Sequence, residues 1–251
     1  MTEEMYQSTR QAWQDIWNQA SVEVELAELK YIRSQELLNG YIPYLPTDGP
    51  ILEAGCGLCA TLIYLRQQGF NIIGLDYALN ALDKGRAYQP DLRLQGGDVH
   101  ALPYAPDSLA GYLSFGVLEH FEHGLQPGLK EAFRVLRPGG ILVLTIPYPN
   151  VVWRLVQFKR RLTGQGPLTD DEFYESTYTQ HDLIDASTAV GFEVVKVQPL
   201  SHAYTLWGLG GPFQAEGYYK TTPLADGLGR VLKRVAPWPF SFSTLLIGRK
   251  P

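Results

Sequence analysis

Three acids stand at the ends of apolar segments, each close to glycine. They are Glu53 in Glu53-Ala54-Gly55-Cys56-Gly57, Asp76 in Gly74-Leu75-Asp76-Tyr77 and Asp98 in Gly96-Gly97-Asp98-Val99. A strand that runs through a glycine turn into a helix brings backbone close to a ligand, because glycine lacks a Cβ and the first helical turn has unsatisfied N–H groups. An acid about 20 residues further on, at the carboxyl end of the next strand, suits hydrogen bonds from a ribose diol. The chemistry implied is the binding of a nucleoside-containing cofactor. The dinucleotide motif Gly-x-Gly-x-x-Gly is met here as Gly55, Gly57 and Ala60, and alanine is an allowed replacement, so a nicotinamide reading stays open. Two features tilt against it: Glu53 is placed to hold a positively charged ligand, and Asp98 adds an acid after the third strand.

Other candidates are fewer. His120, in Glu119-His120-Phe121-Glu122-His123, could take a proton from an acceptor or simply cap and pack the following helix; His123 reads as a surface residue. Cys56 and Cys59 have redox or half-metal-site spacing, but two cysteines cannot complete a zinc site and no second Cys/His pair follows. No metal is expected, and the thiols read as small spacers in a crowded turn.

The elements that must position these residues alternate. Strands are expected at Ile51–Ala54, Asn71–Leu75, Leu92–Gln95, Leu109–Phe115 and Ile141–Ile146, with helices at Thr61–Gln68, Leu79–Tyr88 and Leu125–Leu136. Residues 6–42 read as helical. Beyond Pro147 the rhythm breaks until a helix at His181–Val190 and a strand at Phe192–Val197. An irregular stretch rich in Gly, Tyr and Pro precedes a last strand at Phe240–Ile247. This is the pattern of βαβ units and a mostly parallel sheet covered on both faces.

The chain of 251 residues has a net charge of −5, so no global basic field attracts nucleic acid. The start Met1–Tyr6 lacks the basic and apolar stretches of a signal peptide, and no apolar run reaches the ~18 residues of a membrane span. A soluble, cytoplasmic protein is expected. Val151–Leu162 reads as a basic amphipathic helix, which suits a core-packed element with a solvated basic face, a cover over substrate, or peripheral contact with an anionic membrane. The aromatic cluster Tyr204, Trp207, Phe213, Tyr218 and Tyr219 suits either an acceptor pocket or loop packing.

Taken together, residues 51–147 closely resemble class I S-adenosylmethionine-dependent methyltransferases of the small-molecule and lipid type. The matching pieces are the two segments around Glu53 and Asp76, Gly97-Asp98-Val99-His100-Ala101-Leu102-Pro103, Gly116-Val117-Leu118-Glu119-His120 and Phe133-Arg134-Val135-Leu136-Arg137-Pro138-Gly139-Gly140. The resemblance implies an α/β, Rossmann-like sheet of seven strands in the order 3-2-1-4-5-7-6, with strand 7 antiparallel and helices on both faces. It implies S-adenosylmethionine as cofactor. Glu53, Gly55 and Gly57 would face its methionine part, with Cys56 in the same turn. Asp76 would bind the ribose and Tyr77 would lie beside the adenosine. Asp98 and Val99 would bind the adenine, and Phe115 and Gly116 would line the floor. The family often has a third glycine where this chain has Cys59.

One domain over 1–251 is expected: N-terminal helices in 1–48, a cofactor-binding core in 49–147, acceptor-side segments and the sixth strand in 148–239, and the last strand in 240–251. The segments 147–178 and 200–239 would shape the site of a small-molecule or lipid-like acceptor. Rival readings are a nicotinamide-dependent oxidoreductase, a non-catalytic cofactor-binding protein and a nucleic-acid methyltransferase. The acidic charge and the absence of an Asn/Asp-Pro-Pro-Tyr/Phe tetrapeptide at Ser114-Phe115-Gly116-Val117 speak against the last.

Overall fold

A computed structural model describes residues 3–164, 176–217 and 220–251. In chain order it contains α1 (Glu3–Gln19), α2 (Val22–Glu28), α3 (Ile32–Tyr41), β1 (Ile51–Ala54), α4 (Ala60–Gln67), β2 (Ile72–Asp76), α5 (Leu79–Tyr88), β3 (Leu94–Gly96), β4 (Leu109–Phe115), α6 (Gln126–Val135), β5 (Leu136–Pro147), α7 (Val151–Leu162), α8 (Gln180–Val190), β6 (Glu193–Leu200), α9 (His202–Trp207), α10 (Pro223–Val235) and β7 (Ser243–Arg249). The strands form one sheet in the order β3-β2-β1-β4-β5-β7-β6. β1 to β5 pair in parallel, and β7 runs antiparallel to both β5 and β6. This is the order and the strand direction that the family resemblance implied.

The central strands are apolar on both faces because both faces are covered. Ile51, Leu113 and Val143 enter one buried cluster, while their neighbours Leu52, Tyr112, Leu142 and Leu144 enter another. The order reverses between β1 and β4. Successive crossovers therefore leave the sheet on opposite faces there, and a crevice opens at the carboxyl ends of these two strands.

The structure departs from the sequence expectations in three places. The helical stretch 6–42 is interrupted twice: Ser21 accepts the Val24 N–H and restarts the chain as α2, and a second break follows before α3. The supposedly irregular stretch before the last strand contains α9 and α10, the latter capped by Thr222 with Pro223 in its first turn. β5 begins at Leu136, since Leu109 pairs with Leu136 before the register slips across Pro138-Gly139-Gly140 to join Gly111 with Ile141. Tyr218 and Tyr219 of the expected aromatic cluster, and residues 165–175 of the expected acceptor segment 147–178, lie outside the described residues.

Candidate active site

The glycine turn is stitched to the end of β2. Gly55 and Cys56 both donate their N–H to the Leu75 carbonyl, at 2.7 and 3.1 Å. Asp76 then grips the turn from beyond: one carboxylate oxygen accepts the Gly57 N–H and the other the Ala78 N–H, each at 2.8 Å. Asp76 is buried, and that burial raises its pKa against the opposing pull of these backbone donors. Gly55 and Gly57 have φ of +82° and +48°. A Cβ on Gly55 would come within 2.3 Å of a Val117 methyl, so this backbone requires glycine.

Cys59, at the family's third-glycine position, also adopts a left-handed φ of +66°. That conformation costs about 1–2 kcal/mol for a residue with a Cβ. The thiols sit where neighbouring glycines leave room. Cys56 Sγ lies over Gly74, Cys59 Sγ lies over Gly85, and a Cβ on either glycine would be 2.8 Å from the sulfur. The two sulfurs are 3.9 Å apart, a thiol–thiol hydrogen bond and not a disulfide. The contact with Cys59, together with burial, holds the Cys56 thiol protonated. This is the spacer role expected of both cysteines. No cluster of metal-ligating side chains occurs among the described residues.

Above the turn lies a cleft of about 150 Å³. Gly55, Cys56, Gly57, Asp76, Tyr77, Phe115, Gly116 and His120 all line it. Its outer wall is α1, which the sequence did not assign to the site. A Cβ on Gly57 would approach the Trp17 ring to 2.7 Å, and Trp13 stacks on Trp17 at 5.3 Å between centroids. His120, in a 3-10 turn after β4, presents its ring to the edge of Trp13 at 5.3 Å. The helix is pinned from below: the Lys84 ammonium donates to the carbonyls of Trp17, Asn18 and Ala20 at 2.7–2.8 Å, a cation on a helix C-terminus.

A second cavity, of about 360 Å³, adjoins the first. Glu25, Thr61, Phe115 and Gly116 line both. Its walls come from α2 and α3 and from the carboxyl ends of β5 and β6, with Phe242 and Ser243 at the start of β7. Among the described residues of the segments 147–178 and 200–239, only Pro147, Leu200 and Ser201 take part. The cavity is largely apolar but holds Glu25, Glu28, Glu119 and Arg33. Glu28 pairs with Arg33 at 2.7 Å. Burial, helped by the charge of Glu28, raises the Glu25 carboxyl to about 7. The Tyr41 hydroxyl is fully buried beside this cavity without a hydrogen-bond partner.

Three expected cofactor residues do not line the cleft. Glu53 is 4 % exposed behind the turn and bonds the Thr61 hydroxyl and the Leu62 N–H, with one oxygen unpartnered. Burial raises its carboxyl to about 8. Asp98 turns its carboxylate back on the next residues, accepting the His100 N–H at 2.8 Å with the His100 ring 3.0 Å away. Val99 is packed in the core. Tyr204 and Trp207 stack at 5.0 Å, and the Tyr204 ring supports two walls of the second cavity, Arg33 above it and Phe242 at its edge.

A family model described as a methyltransferase domain matches residues 52–144, the stretch that builds the glycine turn, the acids and β4. The chain carries a class I S-adenosylmethionine-dependent methyltransferase domain. Over 170 residues, 67 % of the chain, it is 32 % identical to a probable S-adenosylmethionine-dependent methyltransferase of Mycolicibacterium smegmatis, covering 62 % of that protein. It is 28 % identical to a malonyl-[acyl-carrier protein] O-methyltransferase of Pectobacterium atrosepticum over 55 % of the chain and 51 % of that protein. The chain thus spans little more than half the length of these curated relatives. A solved methyltransferase from Archaeoglobus fulgidus superposes with a TM-score of 0.61 over 90 % of the chain and 98 % of its own, at 17 % identity, a likeness of fold.

The methyltransferase domain's cofactor fits what is present. The turn at Gly55 has no space for a Cβ, a carboxylate closes β2, and among the described residues the cleft is lined by the acids Glu25 and Asp76 and by no lysine or arginine, as suits a cationic sulfonium ligand. No helix among the described residues is long and apolar enough to cross a membrane.

Proposed function

We propose that the protein transfers a methyl group from S-adenosylmethionine to a small-molecule or lipid-like acceptor held in the second cavity. The observation that carries this is the junction of the two cavities at Glu25, Thr61, Phe115 and Gly116. A donor in the first and an acceptor in the second meet at the carboxyl end of β4, beside the point where the sheet order reverses.

The cofactor's sulfonium supplies a methyl group that is already activated, so bringing donor and acceptor into line does most of the work. Asp76 holds the ribose and Tyr77 lies beside the adenosine. The turn Gly55-Cys56-Gly57 faces the methionine part, with the buried carboxyl of Glu53 behind it. Phe115 and Gly116 form the floor and Trp13 and Trp17 an aromatic cover. Asp98 and Val99 are assigned the adenine end, since Asp98 stands two residues beyond Gly96, which pairs with Asp76 in the sheet. In the second cavity Leu29, Leu37 and Leu38 offer an apolar surface to the acceptor.

An acceptor that must lose a proton needs a base. His120 was the sequence candidate, but it lines the cofactor cleft alone, whereas Glu25 lines both cavities. We assign the proton to Glu25 and leave His120 to support Trp13 and the cofactor. Only the ionised carboxylate accepts a proton, so turnover rises with pH through about 7, where Glu25 titrates. Glu25→Gln is expected to lower kcat about 100-fold and to remove that limb of the pH profile. A normal rate in this variant, with a lost rate in His120→Ala, would return the role to His120.

The cofactor reading is tested by thermal unfolding with S-adenosylhomocysteine or NAD in excess. A ligand at 100 times its Kd stabilises a fold by about 2.7 kcal/mol. A shift with S-adenosylhomocysteine alone is expected; a shift with NAD alone overturns the reading. Transfer of labelled methyl from S-adenosylmethionine into lipid or aqueous cell extract then separates the two acceptor classes.

A further inference from the structure

α7 and α10 each carry an apolar line that faces away from the protein. In α7 it is Val151, Leu155, Phe158 and Leu162; in α10 it is Leu224, Leu228, Val231 and Val235. Both follow the spacing i, i+4, i+7, i+11, one face of a helix. Neither is the face that docks. α7 packs through Val152, and α10 through Ala225 and Gly229, where the Ala203 backbone comes within 2.6 Å of the Cβ position. Exposed apolar lines of this length mark surfaces that meet something.

The charge says what. At helical spacing, the exposed Arg154 and Arg161 border the α7 line on one side and Lys159 on the other. α10 adds Arg234 beside its own line and Arg230 further round the same side, while Lys233 lies on the opposite side of the helix and pairs with Glu36. The two helices together hold seven cations and one acid, in a chain whose net charge is −5. An apolar stripe bordered by lysine and arginine matches the boundary of an anionic bilayer, where acyl chains and headgroups demand opposite properties within a few ångströms.

The start of α7 meets the segment that follows α10. The Val151 N–H at the start of α7 donates to the Pro239 carbonyl, four residues past the end of α10, at 2.8 Å, and Tyr148 packs on Trp238. Both connections run to the rim of the acceptor cavity, through Pro147 on one side and Phe242 on the other.

We propose that α7 and α10 form a binding surface for anionic lipid membranes, set beside the mouth of the acceptor cavity. Membrane binding stands without the methyl-transfer reading. The corollary that the acceptor enters from the bilayer rests on it.

The test is sedimentation of the full chain, without cofactor, with vesicles of phosphatidylcholine alone or mixed with phosphatidylglycerol, at low and high salt. Binding at least about 10-fold stronger to the anionic vesicles, weakened by salt, is expected. The variants Leu155→Glu/Phe158→Glu and Val231→Glu/Val235→Glu change exposed positions and should unfold at the parent temperature while each loses binding. No binding, equal binding to both vesicles, or variants that bind like the parent would overturn the proposal. Loss confined to one pair would overturn the joint surface. Concentration-dependent dimerisation that both variants abolish, with no vesicle binding, would assign the lines to a second copy of the chain.

Discussion

Asp76→Ala is expected to weaken S-adenosylhomocysteine binding by about 100- to 1000-fold and to lower thermal stability in the absence of any ligand. Two separate losses produce these effects. The carboxylate is the ribose acceptor, and a hydrogen bond to a charged group is worth about 1.5–3 kcal/mol. It is also the clasp of the glycine turn, since it accepts the N–H groups of Gly57 and Ala78. Alanine leaves both donors unpaired in a buried place, at about 1–3 kcal/mol each where water does not reach them. The turn then no longer holds the strained backbone that the cofactor needs. Calorimetric Kd reads both losses together, and the unfolding temperature without ligand reads the turn alone. Asp76→Asn keeps one acceptor oxygen and should fall between parent and alanine in both. A lowered unfolding temperature with an unchanged Kd would restrict Asp76 to the turn and sink its assignment to the ribose.

The dual use of Asp76 shows what was legible in the sequence and what was not. Local signals sufficed for the frame. β1, β2, β4 and β5 are apolar runs because both faces of the sheet are covered, and Gly55, Gly57 and Asp76 punctuate their ends. The spacing of glycine and acid foretold a ligand-binding turn, though not that the acid would be holding the turn itself. Contacts between distant segments left no such trace. Trp13 and Trp17 read only as helical periodicity; they cover the cleft because Lys84, more than 60 residues later, fixes the end of α1. Glu25 is an ordinary acid on a short helix until α2 closes over the junction of the two cavities. α10 was hidden for another reason. Gly227 and Gly229 look like breakers, yet Gly229 is what lets α10 touch the α9 backbone. Its apolar line, pointing outward, did not match the inward stripe that marks a helix of a globular core.

Glu53→Gln is expected to flatten the pH dependence of stability and to make the protein more stable than the parent near pH 8. The folded carboxyl titrates at about 8, against 4.5 in the unfolded chain. Between these values the folded state holds a proton that the unfolded state has released. Stability falls with rising pH wherever the folded state binds more protons, so this group costs the fold progressively from about pH 5 to pH 8. At about 1.4 kcal/mol per pH unit the loss reaches about 3–5 kcal/mol. Glutamine is neutral throughout, retains an acceptor for Thr61 and Leu62, and removes the slope. Glu25 and Asp76 are raised in the same direction and leave a residual slope in the variant. The same burial gives Glu53 a function. A cation bound in front of the turn favours the ionised carboxylate, so the parent should release protons on binding S-adenosylmethionine near neutral pH, read by calorimetry in buffers of different ionisation enthalpy. The variant should release fewer and bind less tightly. Equal proton release in both proteins would show that Glu53 does not sense the cofactor's charge, and an unaltered stability profile would show that it is ionised in the fold despite its burial.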